Sequence, residues 1–188
     1  MTRTHLWLGV AGFAVAVACS DPNAIPDASL TNEVDTLTLW ALDGGPLTRP
    51  TAYSLNARSG VRTWDVGTNF EFAFTVNPAG QPVLLPLDVL GLASSGSLKP
   101  GLKPSSLTFD GMKRAPLNGY ITADTIPADS GAVFFIRTGV NACASYGVPL
   151  YGKLEILYVD TVADTLSLRV VANQNCAYRD LGLGIPKD

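Results

Sequence analysis

The amino-acid sequence predicts an all-β domain over residues 34–188, either an antiparallel β-sandwich or a small barrel of about eight to ten short strands. Apolar and polar residues alternate in short runs, and clusters of Gly, Pro, Asn and Asp separate these runs at intervals of roughly 8–12 residues. No segment of about 11 or more residues has the 3.6-residue apolar spacing of an amphipathic helix. The 188 residues include 18 Gly and 13 Pro but only 15% charged residues, a composition typical of a sheet protein with many turns.

The first part of this domain contains strand signals that are separated by turns. Residues 36–42 alternate and stop at the Asp-Gly-Gly-Pro sequence of residues 43–46. We expect residues 51–57 and 61–66 to pair as a hairpin around residues 58–60.

The clearest strand signal covers residues 69–76. Phenylalanine or valine occupies every even position from 70 to 76, and the odd positions between them hold Glu71, Ala73 and Thr75. Because successive side chains of a strand point to opposite faces, this pattern predicts one buried face and one face in contact with water. A further strand is expected to begin at residues 83–85.

The middle of the domain gives weaker signals. Residues 87–93 fit either a strand or a single helical turn, and residues 94–106 are expected to form a loop because they are rich in Gly, Ser and Pro. Short strand signals recur at residues 107–109, 120–122 and 132–136. Residues 139–151, which include Cys143, are expected to form a longer loop.

The last strand pair is predicted from two alternating segments. Residues 153–159 and 166–170 each place apolar side chains at every second position, and residues 160–164 join them. A connection this short predicts an antiparallel hairpin. Cys176 follows in a C-terminal tail.

A separate leader precedes the domain. Arg3 makes the first residues basic, and residues 6–18 form an apolar run. This run is shorter than the ~17–20 residues that a helix needs to cross a bilayer. Ala16-Val17-Ala18-Cys19 closes it. This segment resembles the signal peptide and lipobox of bacterial lipoproteins, with Ala at position 16 where Leu is usual. The resemblance is confined to residues 1–19. An ordinary secretory signal and an uncleaved anchor are the alternatives.

The resemblance implies a domain organisation and a location. Residues 1–18 would be removed as the signal peptide, and Cys19 would be lipidated as the mature N-terminus. Ser20 after the cysteine implies the outer membrane, if the cell has one, with the domain facing the periplasm or the exterior. Residues 19–33 would then be the lipidated cysteine and a flexible tether, and residues 34–188 a single domain.

The composition of the mature chain excludes several classes of function. His5 is the only histidine and lies in the leader, so Ser-His-Asp catalysis and histidine-ligated metals are not expected. Removal of residues 1–18 takes away one of 13 basic side chains and none of the 16 acidic ones, so the formal charge falls from −3 to about −4. That mild acidity without a basic cluster argues against nucleic acid as a partner.

The three cysteines are explained by assigning Cys19 to lipid. Cys143 and Cys176 then form an even pair, and in an oxidising compartment the expected state of such a pair is a disulfide. A reactive thiol at either position is the alternative.

No segment of the sequence predicts a catalytic, metal, cofactor or nucleotide site. Residues 147–153 have P-loop spacing, but Leu154 stands where Ser or Thr should hold magnesium, and a strand follows instead of a helix. Glu71 and Glu155 could form the carboxylate pair of a hydrolase, and ordinary surface carboxylates are the simpler interpretation.

The sequence therefore predicts a non-enzymatic, lipid-anchored domain with a structural or interaction role on the membrane surface. Its partner would be another envelope or membrane protein, and the domain could be an extrinsic subunit of a membrane complex. The alternative is a binding module for a glycan or a small hydrophobic molecule. The candidate binding surface consists of four aromatic residues, Trp40, Trp64, Tyr146 and Tyr151.

Overall fold

The structure is a computed structural model, and it describes residues 24–92, 98–140 and 143–187. The expected signal peptide, the lipidation site at Cys19 and the first residues of the tether lie outside these ranges. Within them, no helix is long and apolar enough to cross a membrane.

The fold is a sandwich of two five-stranded antiparallel sheets, which confirms the all-β prediction and selects the sandwich over the barrel. The first sheet has the strand order β1-β10-β9-β8-β6 and the second the order β3-β2-β4-β5-β7. The strands are β1 (Val34–Trp40), β2 (Ala52–Ser54), β3 (Ser59–Val61), β4 (Phe72–Val76), β5 (Pro82–Pro86), β6 (Gly101–Ser105), β7 (Ile126–Pro127), β8 (Val133–Arg137), β9 (Tyr151–Asp160) and β10 (Thr165–Asn173).

The main core lies between the two sheets. Phe72 and Phe74 of β4 extend inward from the second sheet, and Leu154 and Ile156 of β9 extend inward from the first. All four side chains are fully buried, so each contributes roughly 1.5–3 kcal/mol of hydrophobic stabilisation. The inward-facing positions of β4 and β9 thus follow the alternation seen in the sequence.

The prediction of a water-exposed face on β4 is wrong. Glu71, Ala73 and Thr75 are all buried. Ala73 packs in an outer cluster with residues of the turn after β5 and of a four-residue helix, α1 (Thr63–Val66), whereas the Glu71 carboxylate accepts from the Leu55 N–H group and the Thr75 hydroxyl from the Asp43 N–H group. The chain also bends before β4 begins, so that Phe70 packs in this outer cluster and not beside Phe72. The second sheet is therefore apolar on both faces.

The hairpin expected over residues 51–66 is shorter than predicted. β2 pairs with β3, but the turn lies at residues 55–58, and residues 63–66 form α1 where a strand was expected. Arg58 closes the turn with a positive φ of 51°, and its guanidinium pairs with Asp35 of β1.

Two further predictions in the middle of the domain are wrong. Residues 101–105, expected in a loop, form strand β6, and residues 107–109, expected in a strand, lead into a 3-10 turn at Phe109–Gly111. Pro104 is tolerated because β6 is an edge strand, where one side of the backbone needs no donor. Strand formation here is decided by pairing with β8 and not by the residues of β6 themselves.

A smaller cluster covers part of the outer face of the first sheet. Phe109, Met112 and Leu181 pack there against strand residues that include Phe135 and Tyr151. The segment after β6 and the C-terminal tail thus form a third layer over this half of the sheet.

The sandwich has two distinct ends. The end where β1 begins, called here the N-terminal end, carries Asn32, which bridges to Gly184, and Asn175, whose side chain accepts hydrogen bonds from the backbone N–H groups of Ser29 and Leu30. Residues 29–32, assigned above to the tether, are therefore packed on the domain. The opposite end, called here the distal end, carries the turn between β9 and β10, the segment after β1 and α1.

Candidate functional site

The structure joins Cys143 and Cys176 in a disulfide, as the sequence predicted. Their Cα atoms are 5.9 Å apart, and their sequence separation is 33. The bond ties the loop before β9 to the segment after β10 near the N-terminal end, where Ala177 N–H also donates to the Pro149 carbonyl.

The four aromatic residues expected to form one binding surface are not on one surface. Tyr151 is buried beneath the outer layer of the first sheet, and Tyr146 is half-buried in the disulfide loop. Trp40 and Trp64 are both at the distal end. Only these two could contribute to a common site.

Trp64 borders a cleft at the distal end. Its side chain is 57% exposed, and the cleft has a volume of about 110 Å³. Arg49 also lines the cleft, and its guanidinium lies 5.1 Å from the centre of the Trp40 ring. The lining residues are Leu42, Gly45, Pro46, Leu47, Arg49, Thr51, Arg62, Thr63 and Trp64. The cleft therefore combines an aromatic wall, aliphatic side chains and two guanidinium groups.

The second feature of the distal end is an open strand edge on β9. The pairing of β8 with β9 stops at Val133 and Glu155, and Ile156 makes the last backbone bonds on that side, to Gly131 and Ala132. Among the residues that the structure describes, none pairs with that side of β9 beyond Ile156. We call residues 157–160 of β9 the open edge.

The open edge carries apolar side chains that face solvent. Leu157 is 43% exposed and Tyr158 is 59% exposed, and Val162 in the following turn is 95% exposed. The alternation in residues 153–159 correctly predicted a strand, but it gave no sign that its second half lacks a neighbour, because that depends on the length of β8.

A groove of about 510 Å³ lies on the outer face of the first sheet. On its floor Glu155 and Arg169 form an ion pair, and the Arg169 guanidinium also lies over the Phe109 ring at 4.3 Å. Lys153 packs on the same ring at 4.7 Å and donates a hydrogen bond to the Met112 carbonyl. These cations are engaged by protein groups, so the groove is a structural junction between the sheet and its outer layer.

Two buried ionisable groups have shifted pKa values. Desolvation raises the pKa of Glu71 to about 7, although the Leu55 backbone N–H donates to its carboxylate at 2.5 Å. Desolvation, with a smaller contribution from the like charge of Lys113, lowers the pKa of Lys153 to about 8. Neither group faces a cleft, so both shifts are explained by burial in the fold.

The carboxylates proposed for a hydrolase do not meet. Glu155 belongs to β9 of the first sheet and is neutralised by Arg169, whereas Glu71 is buried in the second sheet. The P-loop-like segment leads into β9, where Lys153 is buried and bound to Met112. In the described ranges, no three His, Cys, Asp or Glu side chains are grouped to hold a metal ion.

The geometry thus gives two candidate features, both at the distal end: the Trp64 cleft and the open edge. No family model, curated protein or solved structure matches this chain. Sequence reasoning identified Trp40 and Trp64 but missed Arg49, Arg62 and Thr51, since these residues have no motif spacing and converge only through the tertiary fold. It also missed the open edge.

Proposed function

We propose that this protein is a lipid-anchored, extracytoplasmic, non-enzymatic domain that binds another envelope protein through the open edge of β9. The observation that carries the proposal is an unpaired strand edge whose side chains, Leu157 and Tyr158, are exposed. Proteins usually protect such edges with charge, proline or a covering segment, because free N–H and C=O groups pair readily with another strand. An edge that carries exposed apolar side chains suits pairing with a partner.

The orientation of the domain supports this role. Lipid on Cys19 would hold the chain at the membrane, and residues 29–32 enter the sandwich at its N-terminal end. The ten residues from Cys19 to Ser29 reach at most about 35 Å when extended. Because the tether joins the domain at its N-terminal end, the distal end with the open edge would be the end farther from the point of attachment. The Cys143–Cys176 disulfide is consistent with an exported, oxidising location.

The partner that fits the open edge is an extended segment with apolar and basic side chains. Main-chain hydrogen bonds to residues 158–160 would supply affinity, since the register between β9 and β10 shifts at Leu157, and the side chains of Leu157 and Tyr158 would receive apolar contacts. Asp129, Asp160 and Asp164 lie beside the edge, so basic side chains on the partner would be complementary in charge.

The experiment is affinity capture of the full chain from native envelopes after gentle detergent extraction. The edge variant replaces Leu157 and Tyr158 with Lys, which is a natural means of blocking strand addition. The control variant replaces Leu183 and Ile185 with Lys, because these residues are similarly exposed but lie in the C-terminal tail at the other end. We expect the wild-type and control proteins to recover a stoichiometric partner, and the edge variant to recover at least tenfold less of it.

Equal recovery by all three proteins, or a wild-type protein that is extracted as a free monomer, would contradict the proposal. Thermal unfolding of each variant separates lost binding from lost folding. Lipid anchoring is tested independently by Cys19→Ser, which should move the exported and processed protein from the membrane fraction to the soluble fraction. A processed variant that stays membrane-bound would mean that lipid is not the anchor.

A further inference from the structure

A second site at the distal end has the groups to hold a small anionic ligand. We propose that the Trp64 cleft binds an acidic sugar, namely a pyranose ring that carries a carboxylate. This inference does not depend on the protein partner proposed above, because the cleft lies between the segment after β1 and α1, whereas the open edge lies on β9.

The first argument is an unsatisfied hydroxyl in the cleft wall. Thr51 is only 8% exposed, and its Oγ1 atom is buried without a hydrogen-bond partner among the described residues. A buried hydroxyl without a partner costs free energy that a hydrogen bond recovers. Thr51 lines the cleft, and a ligand hydroxyl would satisfy this atom once the Thr51 side chain rotates to present it to the cleft.

The second argument is the charge of the cleft. Arg49 and Arg62 both line it, and none of the lining residues is acidic. Arg62 forms an ion pair with Asp65, but in the described part of the chain no carboxylate pairs with Arg49, whose guanidinium lies against the Trp40 ring. A guanidinium stacked by its face keeps its N–H groups available at its edge, and these groups match the geometry of a carboxylate.

The third argument is the apolar wall. Trp64 is more than half exposed at the cleft, although a large aromatic side chain would gain free energy by packing in the core. Its indole can pack against the C–H face of a sugar ring. The volume of about 110 Å³ is smaller than the cavity of about 150 Å³ that holds benzene, so the cleft would receive one face of a single sugar ring and leave the rest of that ring in solvent.

The loop that shapes the cleft is held in place by the backbone. A Cβ atom at Gly45 would lie 2.2 Å from the Ala41 carbonyl oxygen, so only glycine allows this close approach. Ala41 and Leu42 are in turn fixed by hydrogen bonds to the carbonyls of Asp164 and Phe74. The backbone of the cleft is therefore in place before any ligand arrives, which lowers the cost of binding.

The test uses the mature chain, whose two remaining tryptophans are Trp40 and Trp64. Tryptophan fluorescence is titrated with tetragalacturonate, with cellotetraose as the neutral sugar of equal length and with benzoate as an anionic ring without hydroxyls. We expect a saturable change with tetragalacturonate at a Kd of roughly 1 mM or tighter, weakening with salt, and binding at least tenfold weaker for the other two compounds.

Variants localise the binding. Arg49→Gln and Arg62→Gln should each weaken tetragalacturonate about tenfold, and Thr51→Val about fivefold, without a change in fold. Arg58→Gln at the N-terminal end removes the same charge and should leave the Kd unchanged. Equal binding of cellotetraose or benzoate would overturn the acidic-sugar assignment. Absence of binding, or a Kd insensitive to the cleft substitutions, would overturn the site.

Discussion

Glu71 makes the stability of the second sheet depend on pH. Its side chain is buried, and its carboxyl pKa is raised from 4.5 to about 7. Between these values the folded protein holds a proton that the unfolded chain has released. The contribution of protonated Glu71 to the unfolding free energy is therefore fully present below pH 4.5 and is lost as the pH rises to about 7. One pKa unit corresponds to about 1.4 kcal/mol, so the loss amounts to about 3 kcal/mol.

The assay is denaturant unfolding of the mature domain at intervals from pH 4.5 to pH 8, for the wild type and for Glu71→Gln. Glutamine keeps an oxygen that can accept from the Leu55 N–H group, but it does not ionise. The difference in unfolding free energy between the two proteins cancels the other titrating groups. We expect it to move by about 3 kcal/mol in favour of Glu71→Gln across this range.

Glu155→Gln is the matched control, because Glu155 is paired with Arg169 and partly exposed. It should not reproduce the shift in favour of the glutamine variant between pH 4.5 and pH 7. A constant difference between wild type and Glu71→Gln over the whole range would refute the reasoning, since it would mean that Glu71 titrates at the same pH in the folded and unfolded chains.

Three further predictions concern stability. Replacing both Cys143 and Cys176 with Ser should lower the free energy of unfolding by about 3–4 kcal/mol in denaturant titrations, because the bond closes a long loop in the unfolded chain. A loss below about 1 kcal/mol would contradict this prediction. Arg137→Gln removes guanidinium hydrogen bonds to the carbonyls of Leu117 and Lys99, so the rate of amide hydrogen exchange should rise in the segments around those two residues. Unchanged exchange rates would mean that Arg137 does not hold these segments in place. Between about pH 8 and pH 10.5 the unfolded chain binds a proton at Lys153 that the folded chain has lost, so the unfolding free energy of the wild type should rise with pH. Lys153→Met should remove this rise in denaturant titrations. A variant that keeps the rise would mean that another group titrates there.

Local pattern was sufficient where each strand carries its own apolar alternation. The β9–β10 hairpin and the inward-facing residues of β4 were predicted correctly because their buried positions recur with the period of a strand. The Cys143–Cys176 bond was predicted from the count of cysteines and the assignment of Cys19 to lipid. These inferences need no knowledge of the tertiary fold.

Tertiary context decided the elements that were predicted wrongly. β6 contains Gly101 and Pro104, which disfavour strands, and it forms because β8 offers a complete row of backbone partners. Glu71 belongs to a typical polar face by sequence, yet it is buried where its carboxylate accepts from the Leu55 N–H group of a neighbouring segment. The sequence alone does not show which segments will lie over a sheet.

The candidate sites were predictable only in part. The exposed Trp64 and the half-buried Trp40 were identified, but Tyr151 was wrongly grouped with them because aromatic residues also fill sheet interiors. The open edge arises from a difference in length between β8 and β9, and the Trp64 cleft from residues on two separate segments, 42–51 and 62–64. Neither has a signature that a single sequence can reveal.

The most direct test of the central claim is site-specific photo-crosslinking in intact envelopes. A photoreactive amino acid is placed at Tyr158 on the open edge and, in a second protein, at Leu183 in the tail at the N-terminal end, where exposure is similar. We predict one discrete crosslinked product of higher mass from position 158 and none of that mass from position 183. The same product from both positions, or no product from position 158, would contradict the claim that the open edge binds a protein partner.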